Sequence, residues 1–570
     1  MNNRYIISIA AVLLVGCADD MEYSEYTSND ESVVTQSYDE VLGFVTDLYS
    51  RLDYDFGQDN DGAMLASASD EAQFAYSSNS INDFTNGAWS ALNPHGQIWE
   101  DSYAAIQASN YYLDNYSSLT FEELRYNADY AGRMFSYENS LLEARFLRAY
   151  FYFNLVRAYG DIPYFTRTLS PAEATSVSQM DAATVFDNII GELEDIAPLI
   201  VRDYTKLPTR LSAGAAQNGR ANRLAVLALR GRAALYAASP LFNPTDDIQK
   251  WRRAALANLA VIDSASVLGK KLTKYANLTA ANNYSNSEVI FARRYWVDNV
   301  NTSNILETNN FPVGVEGGHG GNCPSANLVD AYETIKGLSI GDPNSGYDAN
   351  DPYANRDPRL GMTIVKNGDT KWPSANAYEI ETYEGGRNGL PQAGATPTGY
   401  YLRKWLNSSV DLSATSTNRA TIHTWITFRL GEFYLNYAEA VLHVLGSADA
   451  TSEEFPLSAR EAVNVIRRRS DVGMPDLPIG LDASTFEARL RNERFVELAF
   501  EGHRFWDLRR WRDTEKLQSI GQTHILRSDD GSLTYRRVES ARFWDDKQLL
   551  FPIPQTEIQK NGNLRQNAGW

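Results

Sequence analysis

Hydrophobic residues recur at helical spacing in several long stretches of the chain. In the clearest stretch they fall every three or four residues, at Leu142, Phe146, Ala149, Phe153 and Val156. Such positions share one face of an α-helix. Gly160 and the proline at position 163 would end this helix. The pattern therefore predicts a long amphipathic helix packed against a core.

The same spacing returns after about 40 residues, and then once more. Helices are predicted to start near 142, 182 and 222, with Asp181 and Asn222 as caps of the second and third. Further helices are predicted over 251–262, 430–444, 462–466 and 486–498. Starts at regular intervals indicate helix pairs stacked as in tetratricopeptide repeats, although the repeat signature itself is absent.

Two segments lack this periodicity. Residues 263–427 are rich in Gly, Asn, Asp and Pro, and residues 53–100 also show little continuous helical pattern. Long loops on rigid scaffolds commonly carry binding surfaces. We therefore predict a mainly α fold: a tetratricopeptide-like helical-repeat scaffold with long loop-rich insertions and a few short strands.

The N-terminus has the pattern of a lipoprotein signal. Residues 1–16 hold one arginine and then an apolar stretch too short to cross a bilayer as a helix. The stretch ends in Leu14-Val15-Gly16-Cys17, which resembles the bacterial lipobox. Cys17 is thus the predicted lipid attachment site. Residues 17–35, acidic and without period, are expected to be a flexible tether.

The composition of the chain bears on its partners and on the source of its stability. The chain has 52 Lys and Arg against 72 Asp and Glu, a net charge of −20. A net negative charge repels the phosphate backbone of nucleic acids, so we expect no nucleic-acid partner. With Cys17 acylated, Cys323 is the remaining cysteine, and stability must come from core burial. The 11 Trp, 33 Tyr and 23 Phe suggest surfaces that use aromatic rings.

A search for catalytic and metal motifs finds none. Ser339 lies in a Gly-x-Ser-x-Gly match, but Asp342-Pro343 follows where a nucleophile elbow needs a helix. The six histidines include no pair at i and i+4. We therefore expect no enzyme and no cofactor. Asp53, Asp55, Asp59 and Asp61 form an acidic loop. Their spacing does not match an EF-hand, but a structural calcium ion stays an open alternative there.

Acidic and basic residues alternate at helical spacing over 492–511. Glu493, Glu497 and Glu501 lie among several arginines. One reading is an acid/base site. The other, which we favour, is an ion-paired helix that fastens neighbouring segments, because the charges compensate one another.

This segment resembles the hallmark of the SusD/RagB family of outer-membrane nutrient-capture lipoproteins. Other segments resemble the family's early helix and turn, two later helices and its C-terminus, and they lie at 143–152, 159–163, 234–242, 429–440 and 550–567. The resemblance runs from the lipobox to residue 570. It implies a helical N-terminal region over 36–262, a loop-rich insertion over 263–427 and a C-terminal region over 428–570.

The resemblance also implies a function. Family members present loops that bind cargo, usually a glycan and in some branches a peptide, and their helical scaffold contacts a SusC-like TonB-dependent transporter. We therefore expect a non-catalytic glycan-binding lipoprotein on the outer face of the outer membrane. A peptide-binding member of the same import system, a surface hydrolase and an adhesion lipoprotein remain the alternatives.

Ligand residues carry over weakly, because binding loops diverge with cargo. Candidates come from the loop regions, where a ring stacks on a sugar and polar side chains reach its hydroxyls. They are Asp70, Trp89, Asn93, Tyr295, Trp296 and Trp372. For each ring, buried packing is an equal alternative.

Overall fold

Helices dominate the computed structural model, which describes residues 35, 37–95, 97–211, 219–280, 283–293 and 303–570. The first eight are α1 (Tyr38–Ser50), α2 (Asp83–Asn86), α3 (Ile98–Asn115), α4 (Tyr130–Tyr159), α5 (Pro171–Ala174), α6 (Ala182–Ile196), α7 (Arg223–Ala238) and α8 (Ile248–Val267). The next eight are α9 (Ile305–Asn310), α10 (Ala326–Ala331), α11 (Arg359–Thr363), α12 (Leu430–Leu445), α13 (Ala459–Arg467), α14 (Ala483–Glu497), α15 (Arg504–Trp511) and α16 (Gln555–Lys560).

The strands of the described residues pair two by two, always antiparallel, and all are short except the last two, which have nine residues each. They are β1 (Ala72–Phe74), β2 (Ile162–Pro163), β3 (Gln179–Met180), β4 (Val289–Arg293), β5 (Asn322–Pro324), β6 (Ile364–Val365), β7 (Tyr401–Leu402), β8 (Trp425–Arg429), β9 (Ser519–Arg527) and β10 (Leu533–Ala541). The pairs are β1 with β5, β2 with β3, β4 with β8, β6 with β7, and β9 with β10.

Consecutive long helices pack in series. Helix α3 contacts α4, α4 contacts α6, α6 contacts α7, and α7 contacts α8. Helix α12, from much later in the chain, then packs on α8. This arrangement confirms the predicted mainly α, tetratricopeptide-like scaffold with few short strands.

Local signals explain where these helices begin and end. The Asp181 side chain accepts a hydrogen bond from the Thr184 amide at 2.9 Å, and the Asn222 side chain accepts one from the Ala225 amide at 3.1 Å. Both predicted caps are confirmed. The helix that contains Leu142 and Val156 was predicted to start near residue 142. This prediction was wrong, because the helix, α4, begins at Tyr130.

Small residues on α7 permit close helix packing. A Cβ at Gly231 would lie 2.8 Å from Oδ1 of Asn258 on α8, which is closer than real Cβ contacts allow. The Asn258 amide in turn donates to the Gly231 carbonyl at 3.0 Å. The backbone of α7 therefore sits directly against the side chains of α8.

The loop-rich insertion shares its core with the early loop. Met64, Ala72, Cys323 and Trp405 belong to one buried hydrophobic cluster, separate from the cluster of the long helices. Strand β1 pairs with β5, with Ala72 opposite Pro324. Residues 53–74 thus pack with the 263–427 region, and the exact domain boundaries stay a prediction. In the described part of the chain, no helix is long and apolar enough to cross a membrane.

Candidate functional site

The charged segment at the end of α14 is a buried ion-pair network. Arg359 lies 2.6 Å from Glu493 and 2.9 Å from Glu497. Arg429 and Arg469 contact Glu497 at 2.8 and 2.7 Å. Burial raises the pKa of Glu497, but the three guanidinium groups outweigh it and hold this pKa well below its ordinary value. The predicted ion-paired helix is confirmed.

Ser339 does not stand on a nucleophile elbow. Residues 337–342 form turns and irregular backbone, and the next helix, α11, begins at Arg359. A nucleophile elbow needs a helix directly after the serine. The Gly-x-Ser-x-Gly match therefore lacks its structural context, as the sequence indicated.

The acidic loop does not form a metal centre. No group of three or more His, Cys, Asp or Glu side chains could hold a metal ion within the described ranges. Asp55 accepts a hydrogen bond from the Leu65 amide at 2.9 Å, and burial raises the pKa of Asp55 to about 7. The geometry therefore does not support the calcium alternative.

Trp89 lies in the hydrophobic core. Its side chain is 3% exposed. The ring centroids of Phe84, Phe551 and Trp570 lie 4.5, 4.7 and 5.0 Å from its own. Because aromatic neighbours enclose the ring, it offers no open face to a ligand in this conformation. The structure gives Trp89 a packing role, and ligand contact at this residue stays a prediction.

Asp70 is an anchor for the early loop. Its buried carboxylate receives two hydrogen bonds from Arg504 on α15, at 2.8 and 2.7 Å. The next residue, Glu71, accepts a hydrogen bond from the Phe500 amide at 2.7 Å. Both acidic side chains are thus engaged with the 500–504 segment. Hydrogen bonding of Asp70 to cargo stays a prediction. The ion pair with Arg504 does not favour it, because both carboxylate oxygens already accept hydrogen bonds.

Trp372 is also buried, in the second hydrophobic cluster. Its ring centroid lies 6.3 Å from that of Phe311, and the Arg403 guanidinium lies 4.4 Å from it. Trp89 belongs to the other cluster, so the structure does not bring these two tryptophans into one site. The remaining predicted residues, Tyr295, Trp296 and Cys17, lie outside the described residues.

Asn93 is exposed and belongs to a polar cluster around Asp83. Its amide donates to the Asp83 carboxylate at 3.0 Å, Asn86 donates to it at 3.2 Å, and His95 contacts the same carboxylate. Partial burial raises the pKa of Asp83, but these hydrogen bonds outweigh it and hold the pKa below its ordinary value. Asp83 is therefore an ionised acceptor that fixes the amide groups beside it.

Two exposed aromatic rings lie next to this loop. Phe543 is 46% exposed and Tyr76 is 38% exposed. The Phe543 amide donates to the Thr85 carbonyl at 2.8 Å, which places its ring beside the end of α2. There the chain turns at Gly87, with φ 87°, and a Cβ at Gly87 would lie 3.4 Å from the Phe543 ring.

The Tyr76 backbone is connected to the same loop, whereas its ring reaches the 263–427 region. Its hydroxyl donates to the His319 carbonyl at 2.8 Å, and Asn82 donates to its backbone carbonyl at 3.0 Å. The exposed Phe543 ring thus lies beside the loop that holds the fixed amides, and the exposed Tyr76 ring belongs to the segment that leads into this loop. Leu92, in the same loop, is 84% exposed. We call this region the aromatic loop surface, defined by Tyr76, Asn86, Leu92, Asn93 and Phe543.

Two family models match the chain over most of its length. The model described as the SusD family matches residues 287–570, and the model described as starch-binding associating with outer membrane matches residues 21–224. The chain belongs to the SusD family. The early helix segment at 143–152 and the charged segment at 492–511 both lie inside the matched ranges of this SusD-family protein.

Individual relatives span nearly the whole chain. SusD-like protein P2 of Formosa agariphila is 26% identical over 506 residues, which is 85% of this chain and 82% of that protein. A SusD-like protein of Bacteroides fragilis NCTC 9343 superposes with a TM-score of 0.75 at 24% identity, covering 95% of this chain and 99% of that one. A SusD-like carbohydrate-binding protein from the same organism gives a TM-score of 0.73 at 24% identity, with coverage of 93% and 100%.

Proposed function

We propose that this SusD-family protein captures a glycan on the aromatic loop surface without cleaving it. The observation that carries the proposal is the exposed Phe543 ring beside the fixed amide groups of Asn86 and Asn93. A pyranose has a C–H face that packs on an aromatic ring and hydroxyl groups at its edge that need hydrogen-bond partners. The surface offers both kinds of contact side by side.

Each group would have a distinct task. The Phe543 ring would bury the C–H face of one sugar unit, and Tyr76 would contact a second unit further along the chain. Asn86 and Asn93 would exchange hydrogen bonds with hydroxyl groups. Asp83 stays ionised and orients both amides, so little side-chain entropy is lost when the ligand binds.

The comparisons support glycan as the cargo. One structural relative is described as a carbohydrate-binding protein, and one family model is described as starch-binding. Binding without catalysis agrees with the ion pairs on α14. The carboxylates of Glu493 and Glu497 are both bound by arginine side chains. A peptide cargo and a hydrolase are the outcomes that the test below separates.

The proposed location is the outer face of the outer membrane, with Cys17 as the acylated anchor. Two or more acyl chains hold a protein stably on a membrane. We propose that the protein delivers its cargo to a SusC-like TonB-dependent transporter and that the scaffold face containing α4 and α7 covers the barrel. The family membership supports this assignment.

The test measures binding and cleavage together. The purified protein is titrated calorimetrically with soluble α-glucans, β-glucans and galactans and with a casein digest, and chain lengths are measured after prolonged incubation. We expect one glycan class to bind, its chain length unchanged, and binding to weaken in the Phe543→Ala variant. Binding to peptides alone would replace glycan by peptide as the cargo. Shortened chains would show a hydrolase.

A further inference from the structure

A large polar cavity lies along α14, and none of its lining residues belongs to the aromatic loop surface. It has a volume of about 580 Å³, and residues spaced as on one helical face, from Ser484 to Phe495, line it. The rest of the wall comes from α10, α15, β10 and the 513–516 segment. Sites for small molecules have volumes of about 300–1,000 Å³, so this cavity has room for a small solute.

The charged side chains in the wall of this cavity are paired with one another. There are four carboxylates and four cations, so the charges of the wall sum to zero. The pairs, with N–O distances of 2.5–3.3 Å, are Asp70 with Arg504, Glu487 with Arg491, Asp513 with Lys516, and Asp330 with Arg537. A charged ligand would therefore lose its hydration without meeting an unpaired opposite charge.

Several side chains of the wall are fixed by one polar atom and keep another one free. The Asn492 amide nitrogen donates to the Ala331 carbonyl at 3.0 Å, and its Oδ1 makes no hydrogen bond in the described part of the chain. Asn327 Oδ1 accepts from the Gly521 amide at 2.6 Å, and its Nδ2 makes none there.

Arg504 has the same arrangement. Its Nε and Nη2 donate to Asp70, whereas Nη1 makes no hydrogen bond to the described residues. The free atoms of Asn327, Asn492 and Arg504 are not shielded completely from water. The wall therefore offers two donor groups and one acceptor whose positions the protein already fixes.

These free groups match hydroxyls better than other ligand groups. A hydroxyl both donates and accepts, so it can serve an amide oxygen, an amide nitrogen or a guanidinium without disturbing an ion pair. The one aromatic ring in the wall, Phe495, lies 3.9 Å under the Arg504 guanidinium and is buried. A ligand that depends on ring stacking would gain little here.

We propose that this cavity binds a small neutral sugar of one or two units through its hydroxyl groups, held by Asn327, Asn492 and Arg504. Because protein contacts already fix these three side chains, little side-chain entropy is lost on binding. The site is separate from the surface proposed for glycan capture, and it does not depend on what that surface binds.

The test uses ligand-observed NMR by saturation transfer. The full-length protein is titrated to tens of millimolar with D-glucose, D-galactose, D-mannose, maltose and cellobiose, and with D-glucuronate and diglycine as charged comparisons. We expect a saturable signal with at least one neutral sugar, a rise in melting temperature with that sugar, and weaker binding of both charged solutes. Asn492→Ala should weaken sugar binding about threefold to tenfold, since one hydrogen bond is lost.

A matched pair of variants tests the location. Ala488 is exposed on α14 and lines the cavity, so Ala488→Trp should fill the space and abolish binding without loss of folding. Ala483 is exposed on the same helix outside the cavity. Ala483→Trp should bind as the wild type does.

The Phe543→Ala variant should also keep the signal. The proposal is overturned if no neutral sugar gives a saturable signal, or if Ala488→Trp binds normally while its melting temperature matches that of the wild type. It is also overturned if Asn492→Ala binds normally, if a charged solute binds as tightly as the sugars, or if Phe543→Ala abolishes the signal.

Discussion

Asp70 and Arg504 form a buried, two-pronged ion pair between residues that are 434 positions apart in the chain, with N–O distances of 2.8 and 2.7 Å. This pair fixes the segment around Asp70 to α15. The aromatic loop surface lies further along the same loop. The position of the surface therefore depends on a contact that joins the first and last parts of the protein.

Removing one partner of this pair should be strongly destabilising. Asp70→Ala leaves the Arg504 charge buried and uncompensated, so we expect a loss of about 3 to 5 kcal/mol in the free energy of unfolding, measured with urea. Glu122→Ala is the control, because Glu122 pairs with Arg125 at the surface with both side chains more than half exposed. That loss should stay below about 1 kcal/mol. Equal effects would contradict the assigned role.

Glu71 should make stability depend on pH. Burial raises the pKa of Glu71 to about 8 in the folded protein, against 4.5 for the free side chain. The folded state therefore holds a proton that the unfolded state releases, so the contribution of Glu71 to stability is fully present below pH 4.5 and is lost as pH rises towards 8. Urea unfolding at pH 5, 6, 7 and 8 should show this contribution as a loss of a few kcal/mol.

The neutral variant Glu71→Gln should remove this contribution to the pH dependence, because it still offers an oxygen to the Phe500 amide. The same change at Glu123, which is exposed, should leave the pH dependence as in the wild type. If Glu71→Gln kept the full slope between pH 5 and 8, other groups would be responsible for it.

Short-range signals were enough to predict the scaffold. Asp181 and Asn222 cap their helices through residues three positions away, so a single sequence contains the whole interaction. The start of α4 was missed because residues 130–141 contain few regularly spaced apolar positions. That part of the helix forms because the structure around it covers residues such as Tyr137, which is buried.

The aromatic loop surface could not be predicted in the same way. Phe543 joins Thr85 through a backbone hydrogen bond across most of the chain, and no local spacing reports such a contact. Trp89 was a candidate ligand contact because it is a tryptophan in a polar loop. In the structure Phe551 and Trp570, from the C-terminal part of the chain, enclose its ring. Exposure of a ring depends on distant partners, so the sequence indicates the loop but not which ring in it faces solvent.

Cys17 is predicted to carry the lipid anchor. Mass spectrometry of the mature protein should find an N-terminus at Cys17 with acyl chains attached. The Cys17→Ala variant should no longer fractionate with the outer membrane, because the tether alone has no hydrophobic attachment. Purification of the wild type in mild detergent should also recover a TonB-dependent transporter. An unmodified N-terminus at another residue would contradict the anchor.

Trp89 should behave as a core residue. Trp89→Ala removes a ring with three aromatic neighbours, and large-to-small changes of this kind cost about 3 to 5 kcal/mol of stability. We expect a clearly lowered melting temperature, while the folded fraction still binds glycan. Trp89→Phe should restore part of the stability. Lost glycan binding at an unchanged melting temperature would instead place the ring in the binding site.

Phe543 should show the opposite pattern. Its ring is half exposed, so Phe543→Ala should change the melting temperature little. The loss of a stacked sugar unit should weaken glycan binding about fivefold to tenfold by calorimetry, since an aromatic contact contributes on the order of 1 kcal/mol beyond the area that it buries. Tyr126→Ala is the matched control, because Tyr126 is an even more exposed ring outside the aromatic loop surface. If both variants bind as the wild type does, the glycan is held elsewhere. If both weaken binding equally, the effect is not specific to this surface.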